Sequence, residues 1–378
     1  MRKYILTIAC AAALSICLIG CGEEKPSATD LKPGGLETSA AATAAVPSAP
    51  VAEGGTRHIS QKLSDNVSID ADVTMPDKTQ YGTYTMKMVD CDPDRLFGIF
   101  SPEGYGSFTK EEQSPNTKIY TESNGRSLYI STYDNRISYD ADYEAVYGGG
   151  PEQEIASLMY YYTLQHPDAA PHDLAFMTAS ELEACGKELF AKLGVAFEPK
   201  LQQCVTLTGQ EILDFQQEMF GLDSYSEFGT PVKLTEAEDT CYMVFSFQYD
   251  GVRLFGPNEP NVSFADGAYA PDPVTATIQM NADGIQRFDM NCVCTAEPAS
   301  EAKNILTPEE AVAALKEKYE QEIRFDESVI QNAWLEYIPV KDETSYVLKP
   351  YWCFGFSGNY MGGERINALT GKDLAYGG

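Results

Sequence analysis

Between Thr275 and Cys294 the chain reads TATIQMNADGIQRFDMNCVC, an apolar–polar alternation broken at Ala282-Asp283-Gly284. Few stretches restrict a fold more. Strand side chains alternate between two faces, so a one-residue slip sends every apolar group to the wrong side. A three-residue loop with Gly284 at positive φ sets Asn281 opposite Ile285 and Ile278 opposite Phe288. In that register Ala276, Ile278, Met280, Phe288, Met290, Cys292 and Cys294 share one buried face. Upstream, CYMVFSFQYDG (241–251) adds a third strand with Cys241, Met243, Phe245, Phe247 and Tyr249 on one face.

Helices flank this sheet. Capping boxes, in which Ser or Thr and a Glu three residues on satisfy orphan N–H groups reciprocally, mark three helix starts. They are Ser180–Glu183, opening a helix to Leu193 with the stripe Leu182, Cys185, Leu189 and Leu193; Thr208–Glu211, opening one to Phe220; and Thr307–Glu310, opening one to Tyr319, with Pro308 at its first position. Asp92 caps a short helix in DPDRLFGIF (92–100), and Glu152–Gln165 reads as a buried helix. Alternation at Val67–Val73, Tyr81–Met88, Lys118–Thr121, Ser127–Thr132 and Arg136–Tyr139 predicts half-buried strands, as it does at Ala333–Val340, Ser345–Ser357 and Glu364–Leu369.

The expected class is α+β, with antiparallel sheets each packed by helices. A helix followed by three strands occurs over 208–294 and again over 307–374, which reads as a degenerate repeat in the C-terminal half. The folded part divides into a β-rich segment 58–175, a helix-plus-sheet module 176–300 and a second one 301–378.

The first twenty residues differ from all of this. Two cations follow Met1, an apolar run extends to Ile19, and the run ends Leu18-Ile19-Gly20-Cys21. The run is short for a membrane span. Those four residues at that distance from the N-terminus resemble the lipobox of bacterial lipoproteins. The resemblance implies that residues 1–20 are a signal peptide and that Cys21 carries lipid on the outer face of a cell membrane. Paired acyl chains anchor stably where one chain does not. Residues 21–57 are rich in Ala, Ser, Thr, Pro and Gly and contain no aromatic residue, which predicts a disordered stalk. Such a chain spans about 30–35 Å.

The last seventy residues carry a second resemblance. LTPEEAVAALKEKYE, YVLKPYWCFGFSG and ERINALTGKDL are similar to the helix–strand–strand plan of PepSY-like modules, and Asn367-Ala368-Leu369-Thr370-Gly371 matches their closing turn. Such modules are regulatory or inhibitory and bring no catalytic residues. The whole chain resembles an uncharacterised family of Gram-positive lipoproteins, which implies a location and a fold style without an activity.

Composition narrows the partners. Lys and Arg total 27 against 56 Asp and Glu, a formal net charge of −29. A surface that acidic repels nucleic acid and anionic lipid, so membrane attachment falls to the lipid. Of ten cysteines, Cys10 and Cys17 lie in the signal and Cys21 in the anchor. The seven others are odd in number and form no CxxC pair, so they read as core residues.

Catalytic and metal motifs are thin. His166, His172 and Asp168, with Asp173 beside them, are metal candidates, but LQHPDAAPHDL fixes no ligand spacing and reads as a surface loop; His58 stands alone at the stalk boundary, and no HExxH occurs. Ser107-Phe-Thr-Lys110 matches a four-residue pattern of penicillin-interacting serine enzymes but lacks its helix and its partner motifs. Asp90–Ser101 begins like a calcium loop, yet Arg95 replaces the required Gly and Ser101 the closing Glu. Asp134, Asp140, Asp142 and Glu144 read as a solvated acidic face. Gly148–Gly150 lacks the Lys of a phosphate loop, Gly355–Asn359 fails the nucleophile-elbow pattern, and consecutive Tyr160, Tyr161 and Tyr162 on a helix point three ways. No cofactor is implied. The favoured reading is a non-catalytic binding or regulatory lipoprotein for a peptide or protein partner. The alternative is an exported hydrolase acting on cell wall or polysaccharide through paired carboxylates.

Overall fold

The computed structural model describes residues 54–142, 151–221, 232–255, 274–321, 327–342, 345–357 and 363–374. The chain opens with strands β1 (Thr56–Lys62), β2 (Val67–Thr74), β3 (Gln80–Tyr81) and β4 (Tyr84–Met88), then helix α1 (Pro93–Phe100). Strands β5 (Phe108–Ser114), β6 (Thr117–Glu122), β7 (Ser127–Ser131) and β8 (Arg136–Asp140) form a meander. Helices α2 (Pro151–Gln165) and α3 (Ala179–Leu193), strand β9 (Glu198–Leu207) and helix α4 (Gly209–Met219) follow. Next come β10 (Thr240–Tyr249), β11 (Val252–Arg253), β12 (Thr275–Asn281), β13 (Gly284–Met290), β14 (Cys294–Pro298) and β15 (Lys303–Asn304). Helix α5 (Pro308–Gln321) and strands β16 (Ser328–Asp342), β17 (Ser345–Phe356) and β18 (Gly363–Asn367) complete the described chain.

The architecture is α+β. One large sheet has the order β1-β2-β16-β17-β4-β14, with β18 also paired to β17; the other runs β11-β10-β12-β13-β8-β7-β6-β5, with β9 also paired to β10. Among the described strands pairing is antiparallel except between β2 and β16, which lie parallel; an isolated parallel bridge also joins Leu254 to Tyr337 of β16. The segments 58–175, 176–300 and 301–378 share these sheets. The first large sheet takes β2 and β4 from the first segment, β14 from the second and β16–β18 from the third. Both helix-plus-three-strand runs are present. Helix α4 precedes the neighbours β10, β12 and β13, and α5 precedes β16, β17 and β18.

The predicted hairpin forms with Ile278 opposite Phe288, but its tip differs. Asn281 pairs with Gly284 and Met280 with Ile285, so the loop is Ala282-Asp283 and a bulge after Gln279 absorbs the offset. Gly284 has φ +107, as the tight turn needs. The shared face ends earlier than alternation alone indicates. Cys292 adopts φ 57, the chain turns, and Cys294 pairs with Met88 of β4 in the other sheet. Both thiols are buried all the same. Helix α3 also starts two residues before the expected box. Glu181 reaches back to the Thr178 N–H (2.9 Å) and hydroxyl (2.7 Å), so the capping pair is Thr178–Glu181. The boxes at Thr208 and Thr307 stand as read. Strand pairing begins at Thr56, inside the segment assigned to the stalk.

One contiguous core joins the inward faces of both large sheets with α1, α3 and α5. Helices α2 and α4 cover the opposite face of β9, where Ile155, Leu158 and Met159 meet Ile212, Phe215 and Met219 above Val205 and Leu207. At the C-terminal end Trp352 donates its indole N–H to the Leu306 carbonyl at 2.9 Å, and Tyr319 and Lys318 of α5 both bond Glu364 of β18 at 2.6 Å. After β18 the chain turns at Asn367: its side chain accepts from Leu369 and Thr370 N–H, and its carbonyl from Thr370 and Gly371.

Candidate functional site

Helices α1 and α3 are pinned together by one cation. Arg95, in the first turn of α1, donates to the Lys192 and Leu193 carbonyls at 2.8 and 2.9 Å and so caps the C-terminus of α3. A cation there complements both the orphan carbonyls and the negative end of the helix dipole. Gly194, with φ 80, ends the helix immediately after. Phe100 at the far end of α1 stacks on Tyr139 of β8 at 4.8 Å and 11° and meets Phe288 of β13 at 5.0 Å. Phe190 of α3 packs edge-on against Phe245 and Phe247 at 5.1 Å.

These contacts leave a cavity of about 520 Å³ between the end of α1, one face of α3 and the β12–β13 hairpin. Ile99, Phe100, Leu189, Met280 and Ile285 give it an apolar part, set among polar groups that form the larger share of its lining. Among them lies a buried pair of hydroxyls, Ser101 Oγ and Tyr139 Oη, sharing a hydrogen bond of 2.8 Å. Burial raises the Tyr139 phenol pKa, so the ring stays neutral. The Cys185 thiol also lines the cavity, 3.8 Å from the Met280 sulfur, and burial raises its pKa too.

The rim is charged in both signs. Glu188 and Lys192 on α3 pair at 2.9 Å, which keeps the Glu188 carboxyl below and the Lys192 ammonium above their ordinary ranges. Arg126, from the β6–β7 turn, donates to the Gly104 carbonyl at 3.0 Å and sits 3.8 Å from the buried Glu122 carboxylate. Glu103 and Asp283 complete the rim. The hairpin tip is braced from below, since Asn281 accepts from the Asp283 N–H (2.9 Å) and the Gln286 amide (2.7 Å) while donating to Glu238 at 2.7 Å. The cavity size falls within the range that encloses small ligands, and apolar side chains beside fixed polar groups suit binding.

The residues singled out from sequence lie elsewhere. Cys21, Glu144, Gly148–Gly150 and Asn359 are outside the described residues. His166 packs against Tyr162 with ring centres 4.3 Å apart and the rings tilted by 37°, and His172 faces Glu211 at 3.4 Å. Asp168 occupies the exposed turn between them, and Asp173 accepts from the Ala179 N–H. Among the described residues no group of three His, Cys, Asp or Glu is placed to hold a metal ion. Ser107 precedes an exposed edge strand in which Lys110 pairs with Glu112. Asp90 and Asp92 accept from backbone N–H groups at the start of α1. The acidic face disperses, with Asp140 buried 3.5 Å from Arg287. Tyr162 packs edge-on against Phe215 of α4 at 5.1 Å, and Tyr160 is exposed. The seven cysteines of the described part are free thiols, five of them buried.

Nothing local flagged the cavity. Ser101, Arg126, Tyr139 and Cys185 come from four separate places in the chain, and no pattern in the sequence links them to one another.

No protein-family model matches the chain, and no curated protein matches it. Among solved structures the chain is similar to an uncharacterized protein from Eubacterium rectale ATCC 33656. The TM-score is 0.50 and the identity 14%, covering 84% of this chain and 93% of that one. At that identity the likeness shows the fold alone.

Proposed function

We propose that this protein is a lipid-anchored binding lipoprotein of the extracytoplasmic membrane face, with the cavity between α1, α3 and the β12–β13 hairpin as its binding site. The location rests on Leu18-Ile19-Gly20-Cys21 after a short apolar run, the acidic balance of the chain and the long polar stretch behind Cys21. The PepSY-like plan of the C-terminal end, closed by the Asn367 turn, supports a regulatory role directed at a peptide or protein partner. The observation that carries the binding reading is the cavity itself, with apolar side chains in its lining and the Glu188–Lys192 pair at its rim. Replacing Cys21 by Ser should abolish acyl labelling and release the protein from membranes; retained labelling overturns the anchor. Affinity capture with the anchored protein in its own envelope tests the rest, with a specific partner expected.

A second reading draws on Glu103, Glu188 and Asp283 around one rim. Paired carboxylates there would serve an exported hydrolase of cell-wall or polysaccharide substrates, one acting as acid and one as base or nucleophile. The Lys192 partner favours ionised Glu188, which suits the base better than the acid. Turnover of a glycan by the purified protein, lost in Glu103→Gln, would favour this reading.

A further inference from the structure

Two hydroxyls share the floor of the cavity and only one of their protons is used. Ser101 is 6% and Tyr139 1% exposed, and their oxygens lie 2.8 Å apart. Each carries one O–H. Whichever donates to the other, one proton is left over, and neither hydroxyl makes a further hydrogen bond with a described residue. A buried O–H without an acceptor is unfavourable, so the floor is built to receive an oxygen atom.

The surroundings restrict what brings that oxygen. Ile99, Phe100, Leu189, Met280 and Ile285 ask for an apolar body. A small anion would gain little, because Lys192 is engaged with Glu188 and Arg126 with the Gly104 carbonyl and Glu122. The carboxylates of Glu103, Glu188 and Asp283 would also repel it at the rim. An ammonium or guanidinium brings donors only, so it would leave the spare O–H without an acceptor.

We propose that the cavity takes an uncharged, apolar-bodied ligand bearing a carbonyl or hydroxyl oxygen, which accepts the spare hydrogen bond of the Ser101–Tyr139 pair. This rests on the reading of the cavity as a binding site and specifies its ligand. The proton count gives the pair a signature. Removing one hydroxyl by Ser101→Ala or Tyr139→Phe abolishes the mutual bond but leaves one O–H to donate. Removing both leaves none. The pair therefore acts as a redundant donor.

The test uses the full chain carrying Cys21→Ser, so that no lipid or detergent competes for probes. The probes are the uncharged naphthyl ketone prodan, the same dialkylaminonaphthalene without its ketone, and anionic anilinonaphthalene sulfonate. Saturable binding of prodan is expected, about five- to tenfold tighter than the ketone-free compound. Each single variant should keep that preference within about twofold, and Ser101→Ala/Tyr139→Phe should lose it while still binding the ketone-free compound. Persistence of the preference in the double variant, or tighter binding of the anion than of prodan, overturns the ligand assignment and leaves the binding site standing. Binding of none of the three overturns both. A readout independent of variant folding is alkylation of Cys185 in the otherwise unaltered chain: prodan should slow it more than the ketone-free compound does, and equal rates count against the pair.

Discussion

A methyl group on Gly186 would lie 2.3 Å from the Cζ of Phe245. The glycine is an interior residue of α3, where Ala is favoured by about 1 kcal/mol. Here that preference is outweighed, because the Phe245 ring is fully buried and held edge-on by Phe190 at 5.1 Å. Gly186→Ala should destabilise the fold by roughly 1–3 kcal/mol, the range for overpacked cores. Urea unfolding measures it, and Phe245→Leu in the same chain should restore part of the loss. A Gly186→Ala protein as stable as the parent would show that the helix can back away.

Gln216 ties three pieces of chain together. Its amide donates to Glu154 at 2.9 Å and to the Val232 carbonyl at 2.8 Å, and its oxygen accepts from the Leu234 N–H at 2.9 Å. Gln216→Leu keeps the shape but strands the buried Glu154 carboxyl and Leu234 N–H and the part-buried Val232 carbonyl, so a loss of about 2–4 kcal/mol is expected from thermal or chemical unfolding.

The same site predicts a pH effect. Burial raises the Glu154 carboxyl pKa above its ordinary 4.5. The folded state therefore holds this proton more tightly than the unfolded state. Its contribution is complete below the ordinary carboxyl pKa and is lost as pH rises through the raised one. Glu154→Gln should remove that portion of the decline, read as the difference between the two stability–pH curves. Parallel curves would exclude the effect.

His58 offers a surface counterpart. It bonds Asp72 at 2.9 Å and lies 3.2 Å from Asp70, and these partners, Asp72 first, raise its pKa above 6.5. Its contribution is present below the unfolded value and lost as pH rises through the folded one. Titration of the imidazole by NMR should give a midpoint above that of an unfolded peptide, and Asp72→Asn should lower it.

The thiols should divide by burial. Burial pushes Cys204 up to about 11 and Cys241 and Cys294 to about 12. Cys91 and Cys185 alone among the seven are partly exposed. Alkylation of the native protein should label these two first, with the others reacting after denaturation; early labelling of Cys294 would contradict the packing.

The sequence by itself determined what neighbours along the chain decide. Thr208 with Glu211, Thr307 with Glu310, and Asp92 ahead of Pro93 each satisfy helix N–H groups within one turn, so those starts were legible. The alternation of β12 and β13 fixed Ile278 against Phe288 because period two leaves no other face for the apolar set. Tertiary structure decided the rest. Nothing in the residues of β17 says that β18, next in the chain, shares an edge with β4, or that β2 runs parallel to β16, since β4 and β2 lie more than two hundred residues from their partners. Cys294 leaves its expected sheet where Cys292 turns the backbone to φ 57, and it pairs instead with Met88, about two hundred residues earlier in the chain. The cavity belongs to the same class. Ser101 and Tyr139 are separated by 38 positions and meet only because Arg95 fastens α1 to α3 and Phe100 stacks on β8. Local rules specify caps and faces, while a binding site assembled from several elements exists only once long-range packing has brought them together.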